Sequence, residues 1–220
     1  MEQDIKTSVQ SKQKEIHDDL EGLVQKHLVT SWREPTPEHS KSVSQEILSL
    51  LIHHRGPLIL DSFCWTGMST TKIAADHPNA LVIGIDKSSS RLSKHLPMPY
   101  QNYRLFQATC EHVLAELVQA QVSCQKHYLL YPNPWPKKGH LKRRIHGHPS
   151  FPLLKALGGL IEVRSNWKIY VDEFAKASKL LGLQAETTAL SVTDPLTLFE
   201  RKYALDHQSL WRCTAHALDH

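Results

Sequence analysis

No run of apolar residues in this 220-residue chain approaches the roughly 20 needed to cross a bilayer. The opening Met1-Glu2-Gln3-Asp4 is acidic and polar, unlike the basic start of a secretory leader. The four cysteines, Cys64, Cys110, Cys124 and Cys213, form no CxxC pair and no metal spacing. They read as reduced thiols of a cytoplasmic protein. Glycine is scarce, at nine residues, and neither a P-loop nor a dinucleotide fingerprint is present. There is no internal repeat and no low-complexity tract. A hydrophobic fraction of 40% and a charged fraction of 22% exclude a mostly disordered chain. The length allows a full core in one domain.

Acid is also missing locally. Between Leu117 and Ile161 there is no Asp or Glu, while seven Lys or Arg and four His fall there. The whole chain carries 26 basic and 22 acidic residues, so the remainder is slightly acidic, 19 against 22. A positive strip on an acidic body points to a local polyanion contact. A solvated Lys/Arg face gives the same composition.

What is present alternates. Ile16, Leu20, Leu23, Val24 and Leu28 recur at helical spacing, and Thr36-Pro37 opens a second helix that Gly56-Pro57 ends. Residues 1–55 thus read as an N-terminal helical extension and 56–220 as the main domain. Strands follow at 57–61, 80–86, 103–106, 127–131, 160–164, 184–192 and 209–217, with helices at 68–76, 111–121 and 167–181. Apolar strands alternating with helices predict an open, mostly parallel α/β sheet with helices on both faces. Ligands of such sheets bind beyond the carboxyl ends of the strands.

Asp61 and Asp86 close the first two strands. A carboxylate after the second strand suits two ribose hydroxyls, and it serves equally as a turn or helix cap. The turn Asp61-Ser-Phe-Cys-Trp-Thr-Gly67 has one glycine where a nucleotide-binding turn usually has several. Tyr131-Pro-Asn-Pro-Trp-Pro-Lys137 follows the fourth strand, and its prolines make a stiff loop. Asn133 and Trp135 offer hydrogen bonds and a stacking face, and the cations up to Arg144 suit phosphates. A structural Pro-rich turn remains the alternative. His146 and His148 lack a third ligand nearby, so they read as a loop pair with no metal. Trp32 reads as packing the N-terminal helices onto the body.

These segments resemble the bacterial tRNA (guanine-N7-)-methyltransferase family, class I enzymes that use S-adenosylmethionine (SAM). The resemblance covers about residues 57–215. It rests on Asp61 to Thr70, Gly84-Ile-Asp86, Tyr131 to Lys137 with Lys142-Arg143-Arg144-Ile145, Ser165-Asn166-Trp167, and Thr197-Leu-Phe-Glu200-Arg-Lys-Tyr. It implies a Rossmann-like, seven-stranded, mostly parallel sheet. It implies SAM as cofactor, held by Asp61, Gly67, Asp86, Thr109 and Asn133, with Asn133 at the catalytic position. It implies tRNA as partner, touched by Lys137, Arg143, Arg144, Asn166, Thr197, Phe199 and Glu200.

The same resemblance marks departures. Phe63 and Trp65 stand where the family's turn has glycines, and both would protrude into the SAM pocket unless the loop re-routes. Asn133 replaces the acid of a Pro-Asp-Pro-Trp motif, Asn166 falls where Asp is usual, and Thr109 falls near a common Asp. Glu200 is then expected to close over the base and supply the missing negative charge. Two functions follow: methyl transfer to guanine N7 in tRNA, or a weak or inactive methyltransferase-like scaffold that binds RNA or protein.

Overall fold

The structure is a computed structural model and describes residues 9, 11–30 and 32–217. Two helices come first, α1 (Leu20–Val29) and α2 (Glu38–His53). Then follow β1 (Leu58–Ser62), α3 (Met68–Asp76), β2 (Leu81–Asp86), α4 (Ser89–Leu92), β3 (Tyr103–Gln107) and α5 (Cys110–Gln119). The second half runs β4 (Lys126–Leu130), α6 (Pro152–Ala156), β5 (Leu160–Ser165), α7 (Lys168–Leu180), β6 (Gln184–Leu190), α8 (Leu198–Leu205) and β7 (Leu210–His216). All seven strands, and α3, α5 and α7, fall within two residues of the sequence expectation. The expectation lacked α6, α8 and two 3-10 turns, Lys138–Arg143 and Ile145–Gly147.

The strand order is β3-β2-β1-β4-β5-β7-β6. β1 to β5 run parallel, and β7 lies antiparallel between β5 and β6. β1 and β2 are buried on both sides. Leu58 and Leu60 join one buried cluster with Val113 of α5 and Phe174 of α7, while Ile59 between them packs with Ile73 of α3 on the opposite face. This alternation is what helices on both faces require. Leu20, Val24, Val43 and Ile47 belong to the first cluster, so α1 and α2 share the core of the sheet. Each of these buried side chains contributes about 1.5–3 kcal/mol.

β1 has β2 on one side and β4 on the other, so the order reverses between β1 and β4. The loops leaving those strands splay apart and open a crevice at the carboxyl edge. Gly84 lets α3 settle there: a Cβ on it would lie 2.4 Å from Thr70 Oγ1.

Candidate functional site

A cleft of about 800 Å³ occupies that edge. Its walls come from the turn after β1, the segments after β2 and β3, the Pro132–Pro136 loop after β4, and residues 197–199 at the start of α8. The structure brings Thr109, Asn133, Arg143, Asn166, Thr197 and Phe199 together on its surface. Lys137 lies exposed just outside it.

The turn after β1 takes left-handed backbone at two bulky residues. Phe63 and Trp65 sit at φ 62° and 57°, in the left-handed region that glycine adopts freely and bulky residues avoid. Tyr131 and Trp135, which bracket the proline loop, sit at φ 52° and 45°. Among the described residues six non-glycines have positive φ, and these four all line the cleft. Strain of roughly 1–3 kcal/mol at each persists because the surroundings over-determine it. Phe63 packs partly on the main core, so its ring is only in part a cleft wall. Gly67, at φ 77°, serves the turn itself. Its N–H donates to the Cys64 carbonyl at 2.9 Å, and a Cβ would lie 2.5 Å from Leu105.

The two aspartates lie beneath the cleft surface. Asp61 Oδ2 accepts from the Ser69 and Thr70 hydroxyls, each at 2.7 Å, and so fixes the start of α3. Its Oδ1 is buried without a partner among the described residues. Burial raises its pKa to about 6 against those two hydrogen bonds. Asp86 Oδ1 accepts from Ser88 N–H at 2.8 Å, and Oδ2 from Trp65 N–H at 3.1 Å. Arg91 approaches Oδ2 at 3.5 Å.

The loop after β4 presents Asn133 to solvent, with Oδ1 accepting from Trp135 N–H at 3.3 Å. Arg143 is exposed and its guanidinium stands 4.9 Å from the Trp135 ring centre. Asn166 donates to Gln208 Oε1 at 2.9 Å, and Thr197 Oγ1 caps α8 by accepting from Glu200 N–H at 3.0 Å.

Two expected contacts with substrate are corrected. Arg144 is fully buried. It pairs with Glu173, donates to Gln13 Oε1 at 2.9 Å, and donates to the Trp135 carbonyl at 3.2 Å. Glu173 also takes His146 Nε2 at 3.0 Å and His17 N–H at 2.9 Å. A buried carboxylate needs several donors, so the Arg144 guanidinium serves Glu173 and not a phosphate. Glu200 is likewise fully buried and does not line the cleft. Its Oε1 accepts from Tyr131 OH and Arg164 Nη1, each at 2.9 Å, and its Oε2 accepts from Leu196 N–H at 2.6 Å. It anchors the loop before α8 to the ends of β4 and β5.

Sequence reading missed the stack of Arg91, Trp65 and Phe199, and the networks around Glu173 and Glu200. Their members lie as much as 160 residues apart, and no local spacing betrays them. Trp32 stacks on His112 of α5, with ring centres 5.2 Å apart, and reaches the cleft wall. All four cysteines are buried and unpaired. Burial pushes their thiol pKa values up, Cys124 and Cys213 to about 12, so they are poor nucleophiles.

Solved structures share this architecture. An antibiotic-related methyltransferase superposes with a TM-score of 0.60 at 16% identity, over 78% of this chain and 92% of its own. A mutant of the 16S rRNA (adenine(1408)-N(1))-methyltransferase of Catenulisporales acidiphilia, solved with cosubstrate SAM, does so at 0.57 and 18%, over 80% and 92%. In sequence, the tRNA (guanine-N(7)-)-methyltransferase of Yersinia pseudotuberculosis is 26% identical over 166 residues, 70% of this chain and 69% of its own. That of Pseudoalteromonas atlantica is 24% identical over 191 residues, 81% and 79%. Residues 55–213 match the family described as "Putative methyltransferase". That match takes in the cleft edge of the sheet and nearly all of its strands, and the chain belongs to this methyltransferase family.

Proposed function

We propose that the chain transfers a methyl group from SAM to N7 of a guanine in tRNA, in the cytoplasm. One observation carries the reading. A proline-stiffened loop presents Asn133 in the same cleft as the turns after β1, β2 and β3, with the exposed cation Arg143 in its wall and the exposed Lys137 and Lys142 within two residues of wall residues in the chain. Among the described residues no helix is long and apolar enough to cross a membrane.

The donor set suits an adenosyl cofactor. The cleft volume exceeds that of a nucleoside. Asp86 Oδ1 holds one backbone N–H and keeps an acceptor site for a ribose hydroxyl, while Oδ2, facing the Trp65 N–H and Arg91, accepts a second hydroxyl once Arg91 moves aside. Thr109, at the start of α5, carries no side-chain cap bond and offers a hydroxyl to the adenine edge. When bound, SAM supplies an electrophilic methyl carbon.

The chain's own task is alignment. Guanine N7 bears a lone pair and no proton, so no general base is required. Rigid placement lowers the barrier instead. Asn133 has both amide hydrogens and one acceptor site for a base edge, while Trp135 gives a flat face beside it. Lys137, Lys142 and Arg143 take phosphates. Positive charge grows on the guanine during transfer, and Asn133 meets it with a dipole where an aspartate would bring a full charge.

The test is methyl transfer from labelled SAM to a whole tRNA pool, followed by nucleoside analysis. Label in 7-methylguanosine is the expected result. No incorporation by a protein that binds tRNA would overturn this reading and leave the scaffold one.

A further inference from the structure

The turn after β1 is occupied by its own side chain. The Trp65 indole lies between two partners. The Arg91 guanidinium stands 4.2 Å from its ring centre. The Phe199 ring meets it edge-on at 4.8 Å. Arg91 and the Trp65 backbone converge on the same oxygen, Asp86 Oδ2. Beneath this stack Asp86 is 2% exposed, although it ends the strand that borders a wide cleft.

We infer that Trp65 sets the cofactor affinity of this chain: its indole, clamped between Arg91 and Phe199, covers the ribose carboxylate and has to move before an adenosyl ligand reaches it. The inference rests on the proposed role of Asp86. Opening the stack breaks a cation–π contact and an aromatic contact, and it exposes a carboxylate that is now shielded. A ligand that binds only the open form has its apparent affinity reduced by the fraction of molecules that are open. The clamp also spans the cleft. Trp65 belongs to the turn after β1, whereas Phe199 belongs to the segment at the start of α8. An indole that swings out therefore frees the opposite wall, and cofactor entry loosens the segment proposed to meet the RNA.

The backbone supports the assignment independently. Trp65 holds a left-handed φ of 57°. Glycine adopts that conformation without strain and brings no side chain, so Trp65→Gly keeps the turn and removes the cover. Trp65→Phe keeps an aromatic ring between Arg91 and Phe199. Phe199→Ala leaves the indole but removes one jaw of the clamp.

Calorimetric titration with SAM, on the full chain of each variant and the wild type, is the test. Trp65→Gly is expected to bind about tenfold tighter or better, Trp65→Phe to stay within about threefold of wild type, and Phe199→Ala to fall between. Thermal melting checks that each variant folds. If Trp65→Gly does not melt cooperatively, Phe199→Ala carries the same sign. A wild type that binds SAM, with neither Trp65→Gly nor Phe199→Ala binding more tightly, overturns the inference and leaves the methyl-transfer reading standing. No SAM binding by any of the four proteins overturns both.

Discussion

Arg143 and Arg144 are neighbours in the chain and opposites in situation. One is exposed over Trp135, and the other is sealed in the core against Glu173. Burial alone would raise the Glu173 pKa, but His146 and Arg144 override it and hold it down at about 2. Arg144→Ala strands that charge, so thermal and denaturant unfolding should report a loss of about 3–5 kcal/mol. Arg143→Ala should leave stability within about 0.5 kcal/mol. It should instead flatten the salt dependence of tRNA affinity by about 0.7–0.9 in the log–log slope. In the sequence the two arginines are indistinguishable members of one basic strip. What separates them is Glu173 and Gln13, 29 and 131 residues away from Arg144. Asn133 is the converse case: its place in the cleft is legible, because a proline-bound loop after a strand end has few other places to go. Asn133→Asp restores a charge facing the cationic product. It should raise the rate of methyl transfer by up to about tenfold in single-turnover assays.

Elements show the same division. Strands β1 and β2 are legible because they run apolar up to their aspartates, and α3 is bounded by its turn and by Asp76. Helix α8 escapes the sequence reading, yet its signal is there. Thr197 and Glu200 are spaced as a capping pair, and Thr197 does cap the Glu200 N–H. Their resemblance to substrate contacts masks that capping chemistry. The Glu200 side chain then does a second job, joining Tyr131 and Arg164 to the backbone of Leu196. Glu200→Gln keeps the shape and loses the charge facing Arg164. Amide exchange across 196–205 should quicken by about tenfold or more, the equivalent of about 1.5–3 kcal/mol for a charged hydrogen bond. Exchange in β1 and β2 should stay unchanged. The 3-10 turns are illegible for a different reason. Lys138–Arg143 has one buried side chain, Leu141, and one apolar residue gives no period.

At the scale of the whole molecule, buried titratable groups set the response to acid, and they pull in two directions. Burial holds His127 neutral and lowers its pKa to about 3. His146 is lowered too, chiefly by burial. The unfolded chain takes up protons on these imidazoles below about pH 6.5 and the folded chain does not, so stability falls as pH drops from there. Glu173, held at about 2, adds a loss below its ordinary value of 4.5. Asp61 opposes them: raised to about 6, it takes its proton in the folded state first, so its contribution grows as pH falls from 6 toward 3.8. Melting temperature should therefore decline gently to about pH 4 and steeply below it. Asp61→Asn removes the opposing group. Its decline between pH 6 and 4 should be steeper than wild type by on the order of 2 kcal/mol in thermal melts across that range.

The position of β7 has a consequence for how the molecule is made. Among the described residues β6 has a single neighbour in the sheet, and that neighbour, β7, is the one of the seven strands synthesised after all the others. A ribosome releases β6 before its partner exists. Until residues 210–216 emerge, the growing chain shows two raw borders, one flank of β5 and one flank of β6, each with unmet backbone donors and acceptors. Such borders are templates for a wrong strand from another molecule. A message broken between the codons for Leu190 and Leu210 would thus yield a nearly finished sheet that behaves as an adhesive. Seven further residues, slotted between β5 and β6, cover both borders at once.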